Sequence, residues 1–130
     1  MNRIKSVPSG IRLQRLIQAC HTEILDREKN NDKFIHLYNI GIYWVAFERS
    51  ACRLNTLFRQ CEVTLFRVPG HPDYVVMASV SVDEAEICFH GHSIFSDGYH
   101  HKVLFDNPLT VSDYHKWHAG AVRSVLQTMN

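Results

Sequence analysis

A chain of 130 residues has the length of one domain and can bury roughly two-thirds of its unfolded surface, so no staple is needed for folding. With 45% apolar and 21% charged residues the chain is not disordered, and no apolar run approaches the ~20 residues of a membrane span. A formal net charge of +1 excludes nucleic-acid binding by bulk charge, so any such contact requires a local basic patch.

Residues 1–10 carry Pro8 and Gly10 and no apolar leader, which predicts a loose arm on a cytoplasmic protein. Cys20, Cys52, Cys61 and Cys88 form no CxxC pair and read as reduced core thiols. From Ile11 to about Lys29, Leu13, Leu16, Ile17, Cys20, Ile24 and Leu25 recur at helical spacing, with Ser9 as the candidate cap. Asn30, Asn31 and Asp32 break the pattern, and Phe34–Ile40 (FIHLYNI) reads as a strand that ends at Gly41. From about Tyr43 the period changes, and Phe47, Ala51, Leu54 and Phe58 make the stripe of an amphipathic helix. Glu62–Val68 and Tyr74–Val82 form a predicted hairpin around Pro69-Gly70-His71-Pro72-Asp73.

Ser81 or Asp83 is placed to cap a short helix through Glu84, Ala85 and Ile87, and Lys102–Phe105 is a short strand. Thr110-Val-Ser-Asp113 resembles a capping box and opens a last helix, with Tyr114, Trp117, Ala121 and Val125 on one face, ending near Thr128. The order α-β-α-β-β-α-β-α predicts a single α+β domain over residues 1–130. Its small mixed sheet of about four strands packs against three longer helices.

The segment FIHLYNIGIYWVAFERSACRL, Phe34–Leu54, joins an apolar strand, Gly41, an aromatic turn and a helix bearing Phe47 and Ala51. Further on, Val76-Met77-Ala78-Ser79-Val80-Ser81 leads from a strand into a helix. Over about residues 11–90 this resembles the N-terminal mismatch-recognition domain of the MutS DNA repair family. The resemblance implies that fold, a non-catalytic role, and DNA or another nucleic acid as partner. It places Tyr43 as the aromatic wedge, two positions after the glycine, with Trp44 beside it. The family's base-bonding Glu is replaced here by Val45, the Asp after the glycine by Ile42, and no GxxxxGK[ST] loop occurs.

Lys33, Arg49 and Arg53 are the candidate phosphate contacts, Arg49 and Arg53 being one helical turn apart, with Arg59 and Arg67 as possible neighbours. Arg3, Lys5, Arg12 and Arg15 form a second basic group. The alternative is a module that keeps the fold without DNA binding and contacts a protein partner, or itself, through exposed aromatics.

Nine histidines are present, six of them between His90 and His118. His90-Gly-His92, His100-His101 and His115-x-x-His118 have spacings that suit metal ligation, and a metal-binding protein is a further alternative. No carboxylate or thiolate completes such a set at close spacing, so no metal or cofactor is expected. No GxSxG occurs, no Cys stands beside a basic residue in a convincing turn, and Cys20-His21, adjacent on a helix, diverge by about 100°. An enzyme is therefore not expected.

Overall fold

The structure, a computed structural model, describes residues 8–128. Its elements are α1 (Ser9–Lys29), β1 (Phe34–Asn39), β2 (Tyr43–Phe47), α2 (Glu48–Leu57), β3 (Glu62–Phe66), β4 (Val75–Ser81), α3 (Val82–Cys88), β5 (Ile94–Ser96), β6 (His100–Leu104) and α4 (Val111–Thr128). The strands make one sheet in the order β3-β4-β2-β1-β6-β5, and every neighbouring pair is antiparallel. The α+β class agrees with the sequence reading, but the sheet is larger than expected and not mixed.

β2 and β5 are the added strands. Helical spacing places the start of a helix where β2 lies, because Phe47 serves two patterns, ending the strand and opening the helical stripe. The turn before β2 is tight. Asn39 Oδ1 accepts from Gly41 N at 3.0 Å and Asn39 Nδ2 donates to Gly41 O at 3.1 Å. Gly41 has φ 106°, and a Cβ there would stand 3.3 Å from Ser9 Oγ and 3.5 Å from an Arg12 nitrogen of α1. The positive φ favours glycine at this position, against which Ser9 and Arg12 of α1 pack.

β2 passes into α2 without a loop, and Glu48 at the joint has φ 51°, a left-handed conformation that costs a non-glycine residue energy. Its side chain compensates. Beyond the last register pair, Phe47↔Met77, β2 has turned away from β4, and Glu48 Oε1 accepts from the buried Val76 N at 2.9 Å. The N-cap residue of α2, Phe47, offers no side-chain bond. Glu28 of α1 supplies one instead, accepting from Ser50 N at 2.8 Å and from Ser50 Oγ at 2.7 Å. Of the two candidate caps for α3, Ser81 is used, in a reciprocal box with Glu84, and at α4 Thr110 Oγ1 accepts from Asp113 N.

Two apolar clusters lie on the two sides of the sheet. On one, Leu13, Leu16, Ile17, Cys20 and Ile24 of α1 meet Tyr38, Ile40, Val45, Phe47, Val75 and Met77. On the other, α2, α3 and α4 cover Ile35, Leu37, Ala46, Ala78, Val80 and Val103. α1 takes in Ser9 and Gly10, so the expected arm is shorter at that end, and Arg3 and Lys5 lie outside the described residues. The four cysteines are free thiols, Cys52 and Cys61 buried, Cys20 and Cys88 half-buried. Among the described residues, no helix is long and apolar enough to cross a membrane.

Candidate nucleic-acid interface

One helix cannot cover a six-stranded sheet face. The cluster beneath α1 draws on β1, β2 and β4 and on Phe66 of β3, with no member from β5 or β6. That leaves β6 and β5 at the edge of the face beyond α1, while Tyr38 of β1 is buried at the border of the cluster. Side chains alternate along a strand, and directly paired residues share a face. The pairs His36↔Lys102, Tyr38↔His100 and Phe95↔Lys102 therefore put Phe34, His36 and Tyr38 of β1 on this face. His100 and Lys102 of β6 and Phe95 of β5 lie beside them.

The aromatics at the edge of this face are exposed, and those nearer α1 are buried, Tyr38 completely. Phe95 is 55% exposed and Tyr99, in the β5–β6 turn, is 46% exposed. Lys102 Nζ sits between two rings, 4.5 Å from the centroid of Phe34 and 5.6 Å from that of Phe95. Lys33 Nζ lies 5.7 Å from the Phe34 centroid. On the α1 side Arg27 donates to Tyr38 Oη at 3.0 Å and lies 3.6 Å from Glu23. A shallow groove of about 310 Å³ runs between Arg27 and Lys102, floored by His36 and His100.

His36 Nδ1 and His100 Nε2 are 3.0 Å apart, and the His100 ring is stacked on Tyr38. Burial, then the neighbouring His100 and Arg27, lowers His36 to about 4. Burial and Arg27 also lower His100, against the pull of Asp97. Both rings are neutral at pH 7, and the positive charge of the face comes from Arg27, Lys33 and Lys102.

The residues singled out in the sequence scatter. Tyr43, 40% exposed, begins β2 beside Ile42, which is 67% exposed. Trp44 is half-buried, stacked on His101 at 4.0 Å on the other side of the sheet. Lys33 precedes β1, whose six residues span roughly 20 Å, so it lies at the opposite end from the Tyr43 turn. Arg49 follows β2 at that same far end, its guanidinium 5.0 Å from the Tyr114 centroid. It lines a cleft between α1, α2, α4 and the β3–β4 loop.

Arg53 corrects the reading most sharply. It is 2% exposed and donates to Asn31 O at 3.2 Å and Phe34 O at 3.4 Å, so it holds protein backbone and not phosphate. The one-turn spacing of Arg49 and Arg53 is right, but α2 is wedged among the sheet, α1 and α4, and Ser50–Leu54 are all buried. The basic residue beside the Tyr43 turn is Arg12, packed over Gly41.

The histidine pairs do not converge on a metal. Among the described residues, no group of three or more His, Cys, Asp or Glu side chains is placed to hold one. His90 is exposed, while His92 packs edge-on to Phe89 with Nδ1 3.4 Å from Leu104 O. His115 and His118 share one side of α4, but His118 bonds Glu48 at 3.2 Å, and that bond raises its pKa. His100 and His101, adjacent on a strand, face opposite sides of the sheet.

Phe34, Phe95, Tyr99, Lys102, His36 and Arg27 were absent from the sequence-based site. For Phe34, His36 and Lys102 the only signal was alternation, Phe34-x-His36-x-Tyr38 and His100-x-Lys102, and only the pairing of β1 with β6 brings the two sets together. No protein-family model, curated protein or solved structure matches the chain.

Proposed function

We propose that this chain is a nucleic-acid-binding module that takes an unpaired strand across the uncovered edge of this sheet face. The observation that carries the reading is Lys102 lodged between Phe34 and Phe95 on that face, at 4.5 and 5.6 Å from their rings. Every base offers a π face to an exposed aromatic, and such stacking is worth about 1–3 kcal/mol per base. A duplex hides those faces, so the unpaired form is favoured. Arg27, Lys33 and Lys102 supply the phosphate contacts. About three such contacts imply a salt slope of about −2 for a single strand, which suits a chain of net charge +1.

A second reading keeps the wedge that the MutS resemblance implies. It is supported by Tyr43 and Ile42, 40% and 67% exposed at the β1–β2 turn, with Arg12 close by. Fluorescence anisotropy separates the two, using a single strand, a matched duplex and a duplex with one mismatch, each with wild type, Phe95→Ala, Lys102→Ala and Tyr43→Ala. Tightest binding to the single strand, weakened by Phe95→Ala and Lys102→Ala, is the expected result. Mismatch preference lost only in Tyr43→Ala moves the site to the turn. No binding at low salt overturns both readings and leaves a protein partner.

A further inference from the structure

The floor of the groove holds an unusual feature, two histidines bonded directly to each other. His36 and His100 are each 8% exposed, their rings are 17° from parallel, and Nδ1 of one lies 3.0 Å from Nε2 of the other. Such a contact holds one proton between two nitrogens, one donating and one accepting. The neutral pair satisfies this with either ring as donor. One added proton also satisfies it, because an imidazolium donates to a neutral imidazole and every outer ring nitrogen becomes an N–H. A second added proton sets two N–H groups face to face and breaks the bond. The pair is therefore built to gain one positive charge without rearranging.

Burial and the charges around it decide when that happens. Arg27 faces it from α1, itself 3.6 Å from Glu23, and Lys102 lies on β6. The buried Arg53 of α2 is the third cation acting on His36. The β5–β6 turn contributes Asp97, whose Oδ2 is 3.7 Å from His100 Nδ1, and Asp97 is the one carboxylate at that distance from the pair among the described residues. Burial first, and then the cations that outnumber Asp97, hold the proton off in the free protein. An anion entering the groove reverses that balance, because it draws a positive charge to the rings as it is drawn by Arg27 and Lys102.

We infer that the groove is a phosphate subsite in which Arg27, Lys102 and the bonded His36–His100 pair hold one phosphate group, the pair gaining a proton as the anion binds. This rests on the strand-binding reading for the source of the phosphate, a phosphodiester of the unpaired strand, while free phosphate shares the same chemistry. Strand binding then strengthens in mild acid. One linked proton gives at most a tenfold gain per pH unit between the titration midpoints of the bound and free pair.

The test follows the imidazole nitrogen signals of His36 and His100 by NMR from pH 7.5 to 4.5, for protein alone, with an unpaired oligonucleotide, and with inorganic phosphate. Strand affinity is measured over the same range for wild type and His100→Asn. The expected result is a midpoint for the pair raised by about one pH unit by the oligonucleotide, and affinity about threefold higher at pH 4.5 than at 7.5. In His100→Asn that gain falls to the small rise produced by the remaining histidines. Should His100→Asn fail to fold, Lys102→Gln serves in its place. Loss of that cation raises the midpoint of the free pair and weakens the strand, whereas a merely structural lysine leaves the midpoint where it was.

Strand binding of equal affinity at every pH overturns the subsite and leaves the strand-binding reading standing. No strand binding with a midpoint that moves in inorganic phosphate overturns that reading and keeps the subsite, with free phosphate as its ligand. A midpoint that moves with neither probe overturns the subsite.

Discussion

Replacing Glu28 by Gln isolates one titration in the core. The carboxyl is 3% exposed, and burial raises it from 4.5 to about 7, against the pull of bonds from Ser50 and Asn31. Between those values the folded chain keeps a proton that the unfolded chain has released. This group's share of stability is thus complete below pH 4.5 and lost as pH climbs to about 7. At about 1.4 kcal/mol per pH unit the loss is about 3 kcal/mol. His36 acts in the opposite sense. Lowered from 6.5 to about 4, its share is complete above pH 6.5 and lost, by about 3 kcal/mol, as pH falls to 4.

The two slopes oppose each other where they overlap, so these groups together leave the wild type nearly flat from pH 4.5 to 6.5. Glu28→Gln removes one slope, and the variant gains about 3 kcal/mol over that window as pH rises. The assay is urea unfolding followed by tryptophan fluorescence at several pH values, read as variant minus wild type so that the other groups cancel. A difference constant within about 0.5 kcal/mol refutes the raised carboxyl.

Arg53→Met removes the donor that ties α2 to Asn31 O and Phe34 O and takes away a positive charge near Glu28. It is expected to cost about 3 kcal/mol in urea unfolding while leaving the salt slope of strand binding unchanged. A lower salt slope shows instead that Arg53 reaches phosphate. Glu48→Gly and Glu48→Ala both strip the acceptor from Val76 N, a loss of about 2 kcal/mol. Glycine tolerates φ 51°, so thermal melts should place the Gly variant above the Ala variant by about 1 kcal/mol; the reverse order refutes the left-handed joint. Phe95→Ala, at an exposed edge position, is expected to change stability by no more than about 0.5 kcal/mol. A larger loss makes Phe95 a core residue and weakens its role as a platform.

Local chemistry was legible and long-range pairing was not. The helix through Lys29, the hairpin around Pro69–Asp73, the Ser81 cap and the Thr110 cap are each written within a few residues, and each stands where the pattern put it. β2 was hidden because a five-residue strand that runs straight into a helix leaves no turn signal between them. β5 has three residues, fewer than periodicity can register. The candidate site residues scatter for a related reason. Helical spacing put Arg49 and Arg53 on one turn, but what covers a helix face is set by α1 and α4, far away in the chain. The face from Phe34 to Lys102 exists only because β1 pairs with β6, joining residues 64 apart such as His36 and His100.

The most direct test of the strand-binding account is chemical-shift mapping of isotope-labelled protein titrated with a short unpaired oligonucleotide at low salt. The account predicts shifts concentrated at Phe34, His36, Phe95, Tyr99 and Lys102, with the cleft around Arg49 and Tyr114 unmoved. Shifts confined to Ile42, Tyr43 and the start of α3, or no shifts at all, contradict it.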